Sequence, residues 1–255
     1  MAESPCHSPA VSGILGTRPN NRKEAERMVY GIIGAMPVEI RRIRETMTVE
    51  REITLCDMTF YKGVCAGKEI VLVTCGVGKV NAAHTTMLLI DRFGVDCIIN
   101  VGVAGGIHRD IHVKDVVIGT SSTTYDVGPS IMSRYYPFVS EYKYDERVIE
   151  AARQACESIT DREWKYVVAK TITGDMFIDD SMLKEKLLSP YPDAYCIDME
   201  AQAMAQICHI YKVPIANIRS ISDNADDETT ATYAENEAAA AEVAGQVLIE
   251  TLKRL

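Results

Sequence analysis

No apolar run in this chain approaches the ~18–20 residues that a membrane span requires. Positive charge is scarce as well. The chain has 27 Lys and Arg against 36 Asp and Glu, a net charge of −9 spread along its length. A nucleic-acid-binding face needs clustered Lys and Arg against the phosphate backbone, so that class is set aside. The negative balance fits a soluble protein that stays dispersed. None of the eight cysteines, at positions 6, 56, 65, 75, 97, 156, 196 and 208, forms a C-x-x-C pair, so a zinc ribbon is not expected. Cys75, Cys97 and Cys196 lie in apolar, strand-like runs, where a thiol behaves as a small hydrophobe. A chain of 255 residues does not need disulfides, and the reading is a reducing, cytoplasmic protein.

The common nucleotide loops are missing too. Gly78-Lys79 invites a P-loop reading, but the first glycine and the following Ser or Thr of that motif are Val73 and Val80 here. Neither Gly31-x-x-Gly34 nor Gly102-x-x-Gly105-Gly106 has the G-x-G-x-x-G spacing of a dinucleotide site. His108 and His112 stand four apart in the loop-like stretch GGIHRDIHVKD and have no third ligand, so no metal is expected. Residues 1–27 lack the apolar core of a signal peptide, and Glu3, Glu24 and Glu26 speak against a transit peptide. They read as a disordered extension.

From Met28 onward the pattern alternates. Strand-like runs cover Val29–Gly34, Glu69–Cys75, Asp96–Val101, Val116–Thr120, Tyr166–Ile172 and Pro214–Ile221. Helical periodicity covers Asn81 to about Arg92, 146–159, 200–211 and 236–253. With no internal repeat and no linker after residue 27, this predicts one α/β domain over 28–255 with a mainly parallel sheet. Gly31 and Gly34 read as glycines where a strand end turns sharply. Gly102 to Gly106 would let a ligand approach the backbone at a strand's carboxyl end, where open α/β sheets bind ligands.

Acidic residues beside these strand ends are the remaining signal. Glu39 follows the first strand, Glu200 follows Cys-Ile-Asp-Met, Asp223 ends the last strand, and Asp175 sits in a Thr-Gly-Asp turn. Each has an ordinary structural reading: an acid at a helix N-terminus for Glu39 and Glu200, an N-cap for Asp223, a turn former for Asp175. Glu39, Glu200 and Asp223 at one sheet edge point instead to a pocket where carboxylates act on a polar ligand.

GIIGAMPVEI, CGVGKVNAA, NVGVAGG, TGDMFIDD, IDMEAQAMA and RSISDNAD, in that order, resemble the motifs of the nucleoside phosphorylase and nucleosidase superfamily. The likeness runs from Val29 to Leu252 and is strongest to the 5′-methylthioadenosine/S-adenosylhomocysteine nucleosidases. It implies a single-domain three-layer α/β/α fold with a central mixed, mainly parallel twisted sheet. It also implies an N-glycosidic hydrolase of methionine salvage that uses no cofactor. By that resemblance Asp223 would protonate or hydrogen-bond adenine N7. Backbone groups of Phe177 and Ile178 would read the adenine edge, with the Phe177 ring stacking. Met199 and Glu200 would hold the ribose, and Glu39 would take a proton from the attacking water. Arg219 would orient that water or the acids, Gly105 would line the sugar–base region, and Met36 and Tyr233 would pack around the 5′-substituent.

Two positions depart from the family pattern. Val103 stands where Ser is common, and Tyr125 replaces a His. The resemblance further implies a homodimer in which the apolar segment Ile131 to Phe138 meets the partner, with Met132 or Tyr135 reaching the partner's pocket. Three other readings are a purine nucleoside phosphorylase, a 6-amino-6-deoxyfutalosine hydrolase and a non-catalytic nucleoside-binding protein. Glu39 would repel the phosphate that the first requires, and the three acids together weigh against the last.

Overall fold

The computed structural model describes residues 28–255, and the extension expected over 1–27 lies outside them. Ten strands and seven helices follow in chain order. The first half runs β1 (Val29–Gly34), α1 (Pro37–Thr46), β2 (Thr48–Leu55), β3 (Met58–Cys65), β4 (Lys68–Thr74), α2 (Lys79–Phe93), β5 (Cys97–Gly106) and β6 (Val116–Thr124). The second half runs α3 (Pro129–Arg134), β7 (Tyr142–Lys143), α4 (Glu146–Ser158), β8 (Tyr166–Thr173), α5 (Ser181–Leu188), β9 (Ala194–Asp198), α6 (Ala201–Tyr211), β10 (Ile215–Asp223) and α7 (Thr229–Leu252).

Successive side chains of a strand point to opposite faces, and β1 shows what this builds. Ile32 enters a core with Ile40 and Ile43 of α1, Val148 of α4 and Val247 of α7. Ile33 enters another with Leu89 of α2 and Met204 of α6. Two helical layers therefore cover the two faces of one sheet, the three-layer arrangement expected. The sheet is mixed. Strands β4, β1, β5 and β10 run parallel in that order, and β6, β8 and β9 continue from β10.

The sheet is not open throughout. β9 pairs with the end of β5 through Gly105 and Gly106, so β5, β10, β6, β8 and β9 close into a ring. β5 also extends past its expected end at Val101. Gly102 to Gly106 lie within the strand rather than in a turn after it. β1 stays beside β5 only as far as the Ile33–Asn100 pair, after which β5 continues beside β10 and on to β9. That divergence opens a crevice at the strands' carboxyl ends.

Two helix starts also differ. α2 begins two residues before Asn81, and α7 begins at Thr229 rather than 236. The antiparallel β2–β3–β4 meander was not expected. Its turns, Cys56-Asp57 and Ala66-Gly67, are two-residue loops with both φ values positive (51°, 58°, 50° and 80°). That is the hairpin turn whose backbone matches strand twist. Among the described residues no helix is long and apolar enough to cross a membrane.

Candidate active site

A cavity of about 140 Å³ occupies the crevice. The segments after β1 and β4, the end of β5 and the ends of β9 and β10 build its walls. Met36, Glu39, Gly105, Phe177, Met199, Glu200, Asp223 and Tyr233, all expected at the site, line it. A larger hollow of about 530 Å³ lies elsewhere, beside β7 and the end of α6. Volume does not decide between them; convergence of buried acids does, since an ionised carboxylate is almost never buried without purpose or partner.

Glu39 is 1% exposed. Its Oε2 accepts hydrogen bonds from the Ala35 and Met36 backbone N–H groups, at 2.6 and 2.9 Å. It therefore does cap the first turn of α1. Its Oε1 reaches across to β5, accepting from Val103 N–H at 2.8 Å, and lies 3.6 Å from Arg219 Nη1. Burial pushes the carboxyl above its ordinary value, and Arg219 with the three N–H donors only partly offsets this.

Glu200 precedes α6 but makes no side-chain cap to it. Instead Oε1 accepts from Gly78 N–H at 2.9 Å and Oε2 from Arg219 at 3.3 Å. Burial raises it to about 7, with Arg219 opposing and Asp198 adding to the rise. Asp223 ends β10, and its Oδ1 accepts from Ala225 N–H at 2.9 Å and from the Thr229 hydroxyl at 3.4 Å. The Ser222 hydroxyl donates to Oδ2 at 2.8 Å. Burial holds this carboxyl above the usual range, while those donors pull it back. It caps no helix, so the N-cap reading does not hold.

Arg219 is fully buried and lies behind the acids rather than on the cavity wall. Its Nε and Nη2 donate to Asp198 Oδ2 at 3.1 and 2.9 Å, and Nη1 donates to the Val103 carbonyl at 3.3 Å. Burial alone would lower the guanidinium pKa, but Asp198, Glu200 and Glu39 outweigh it and raise it. One cation thus serves three carboxylates. Of its two expected duties, orienting the acids is the one its position supports.

Three contributors escaped the sequence reading. Asp198, a cavity-lining acid, anchors Arg219; an arginine inside the wholly buried strand β10 was the available signal for such a counterion. Ser222 and Thr229 both touch Asp223. Ile178 differs from the other expected residues. Its side chain packs in a core with Ile107, Ile172 and Ile197 and is absent from the wall.

At the mouth, the Phe177 and Tyr233 rings meet edge-on, 5.6 Å apart at 82°. Phe177 remains 48% exposed, leaving a free face for an aromatic ligand. Val103 packs with Met36 and Tyr233 and gives this end of the cavity an apolar wall. Tyr125 covers Gly174, and its hydroxyl donates to the Met176 carbonyl at 3.1 Å. His108 stacks on Tyr195, with centroids 4.0 Å apart.

Residues 29–253 match the sequence profile of the phosphorylase superfamily. A 5′-methylthioadenosine/S-adenosylhomocysteine nucleosidase of Anoxybacillus flavithermus is 38% identical over 212 residues, 81% of this chain and 90% of that protein. A nucleosidase of the same description from Neisseria meningitidis, solved with methylthio-immucillin-A, superposes with a TM-score of 0.83 at 33% identity, covering 89% of this chain and 99% of that one. The futalosine hydrolase of Helicobacter pylori gives 0.80 at 28% identity, covering 90% and 99%.

Proposed function

This chain belongs to the phosphorylase superfamily, and from that footing we propose that it hydrolyses the N-glycosidic bond of 5′-methylthioadenosine and S-adenosylhomocysteine. The products are adenine and 5-methylthioribose or S-ribosylhomocysteine. One observation carries the choice of water over phosphate. Glu39, Asp198, Glu200 and Asp223 line the cavity, and among the described residues no Lys, Arg or His does. A phosphate dianion would meet carboxylates at close range with no cation facing it. Water meets an acceptor.

Breaking the bond builds positive charge on the ribose and negative charge on the base. Glu200 supports the sugar and its hydroxyls. Asp223, whose affinity for protons burial raises, delivers a proton toward the purine N7. Glu39 accepts a proton from the attacking water, and its raised affinity for protons suits that task. Arg219 holds Glu39 and Glu200 in place through direct contacts. Phe177 stacks on the base and the backbone of Phe177 and Ile178 reads its edge. Met199 packs on the ribose, Gly105 leaves room beside it, and Met36, Val103 and Tyr233 receive an apolar 5′-thioether.

The same proposal includes a homodimer. Ile131, Tyr135 and Phe138 are 55%, 62% and 63% exposed, a run that is costly to leave in water. Met132 packs on its own core, which favours Tyr135 of the two as the residue that reaches a partner. A cytoplasmic role in methionine salvage completes the proposal, and among the described residues the seven cysteines, at 56, 65, 75, 97, 156, 196 and 208, are unpaired, which supports the reducing setting. The test is a panel of 5′-methylthioadenosine, S-adenosylhomocysteine and 6-amino-6-deoxyfutalosine, each scored for released base. Preference for the two thioethers supports the proposal; preference for aminodeoxyfutalosine moves the chain to the futalosine hydrolase branch.

A further inference from the structure

The Gly78-Lys79 pair, set aside above as a nucleotide loop, is held by its neighbours on several sides. The Lys79 ammonium lies 2.7 and 2.6 Å from the two Asp126 oxygens and 3.4 Å from Asp175 Oδ2. The Lys79 backbone N–H donates to Asp175 Oδ1 at 3.0 Å, and Asp175 N–H donates to Asp126 Oδ2 at 3.0 Å. The Thr124 hydroxyl donates to Asp126 as well. Three segments meet here: the turn after β4, the end of β6 and the loop after β8. One residue before Lys79, the Gly78 N–H donates to Glu200 Oε1. Gly78 has φ of 98°, a conformation glycine adopts freely, so the turn alone does not stiffen the direction of that N–H.

We propose that Lys79 is a positioning residue, whose ammonium locks the Gly78–Lys79 turn against Asp126 and Asp175 so that the Gly78 N–H stays aimed at Glu200. The inference rests on the nucleosidase reading, in which Glu200 supports the sugar. The Lys79 and Asp126 side chains are only 19% and 22% exposed, so the pair is largely covered and holds a defined geometry. Without the ammonium, Asp126 and Asp175 face each other with no cation between them, and the turn is freed on the side away from Glu200. The base-reading loop is less affected. Tyr125 still holds it through the Met176 carbonyl, and Asp126 still accepts the Asp175 N–H.

Lys79→Met is compared with the unmodified protein on 5′-methylthioadenosine, with adenine as a competing probe of the base subsite alone. A displaced hydrogen-bond donor near the reacting sugar is expected to lower kcat roughly ten- to a hundred-fold. The inhibition constant of adenine should change by less than about threefold, and Lys79→Arg should recover most of the rate. Unchanged kcat in Lys79→Met overturns the inference. So does an equal loss of kcat and adenine affinity that Arg does not rescue, which marks a merely structural ion pair. If Lys79→Met does not fold, Lys79→Gln carries the same comparison. Absence of adenine release from the unmodified protein would instead sink the nucleosidase reading itself.

Discussion

A methyl group on Gly102 would overlap the Glu39 carboxylate at Oε1 and stand 2.6 Å from Arg219 Nη1. Gly102 is also the β5 residue registered opposite Arg219 on β10. The missing side chain is therefore the space in which acid and guanidinium meet, inside a strand rather than at a turn. Gly102→Ala should force one of them aside. We expect a loss of roughly 1–3 kcal/mol from overpacking and at least a tenfold loss of kcat/KM from misplaced groups. Denaturant unfolding and steady-state kinetics check both, and full activity in the variant would show that the close packing is unimportant.

Asp223→Asn separates proton delivery from binding. Asparagine keeps a hydrogen-bonding edge but carries no transferable proton. Since general acid catalysis is typically worth ~10²–10⁴-fold, kcat should fall within that range while KM changes little. Near-normal turnover of 5′-methylthioadenosine would remove Asp223 from the acid role.

The raised acids also make a statement about stability. Glu200 titrates near 4.5 ordinarily and at about 7 in the fold. Between those values the folded chain holds a proton that the unfolded chain has released. The stability this group contributes is full below pH 4.5 and is lost as pH rises through about 7, at most roughly 3 kcal/mol in all. Glu39 and Asp223, also raised, act in the same direction. Thermal melts of Glu200→Gln should therefore decline less between pH 5 and pH 8 than those of the unmodified protein. Parallel declines would contradict the assignment.

Much of this was legible in the sequence. Ile32 and Ile33 lie in an apolar run long enough for a strand buried on both faces, and the structure sends one to each helical layer. The acids beside strand ends announced the pocket because a carboxylate gains little from a core. The hairpins were hidden because Cys56-Asp57 and Ala66-Gly67 lack the Asn-Gly or Asp-Gly signature of their turn type. Most of β2 alternates only between exposed and half-buried positions, so its periodicity is faint. The first turn of α7, Thr-Thr-Ala-Thr, carries no apolar stripe, yet it places Thr229 on Asp223. β5 was cut short because glycines usually end strands. Here Gly102 makes room for Glu39 and Arg219, and Gly105 lies close to Asp223.

Assembly is checked by light scattering. The exposed Ile131, Tyr135 and Phe138 predict a two-fold dimer, twice the 28.2 kDa chain mass. Tyr135→Asp should weaken the dimer and raise KM for 5′-methylthioadenosine. A fully active monomer at assay concentration would refute both the interface and its contribution to the pocket.

The central claim is that water, giving a proton to Glu39, attacks the sugar in a cavity that no cationic side chain of the described residues lines. Its most direct test is adenine release from 5′-methylthioadenosine by protein dialysed free of phosphate, with the sugar product identified by mass. The account predicts an unchanged rate when phosphate is restored and free 5-methylthioribose in both cases. Adenine that appears only with phosphate, accompanied by a sugar 1-phosphate, would contradict it.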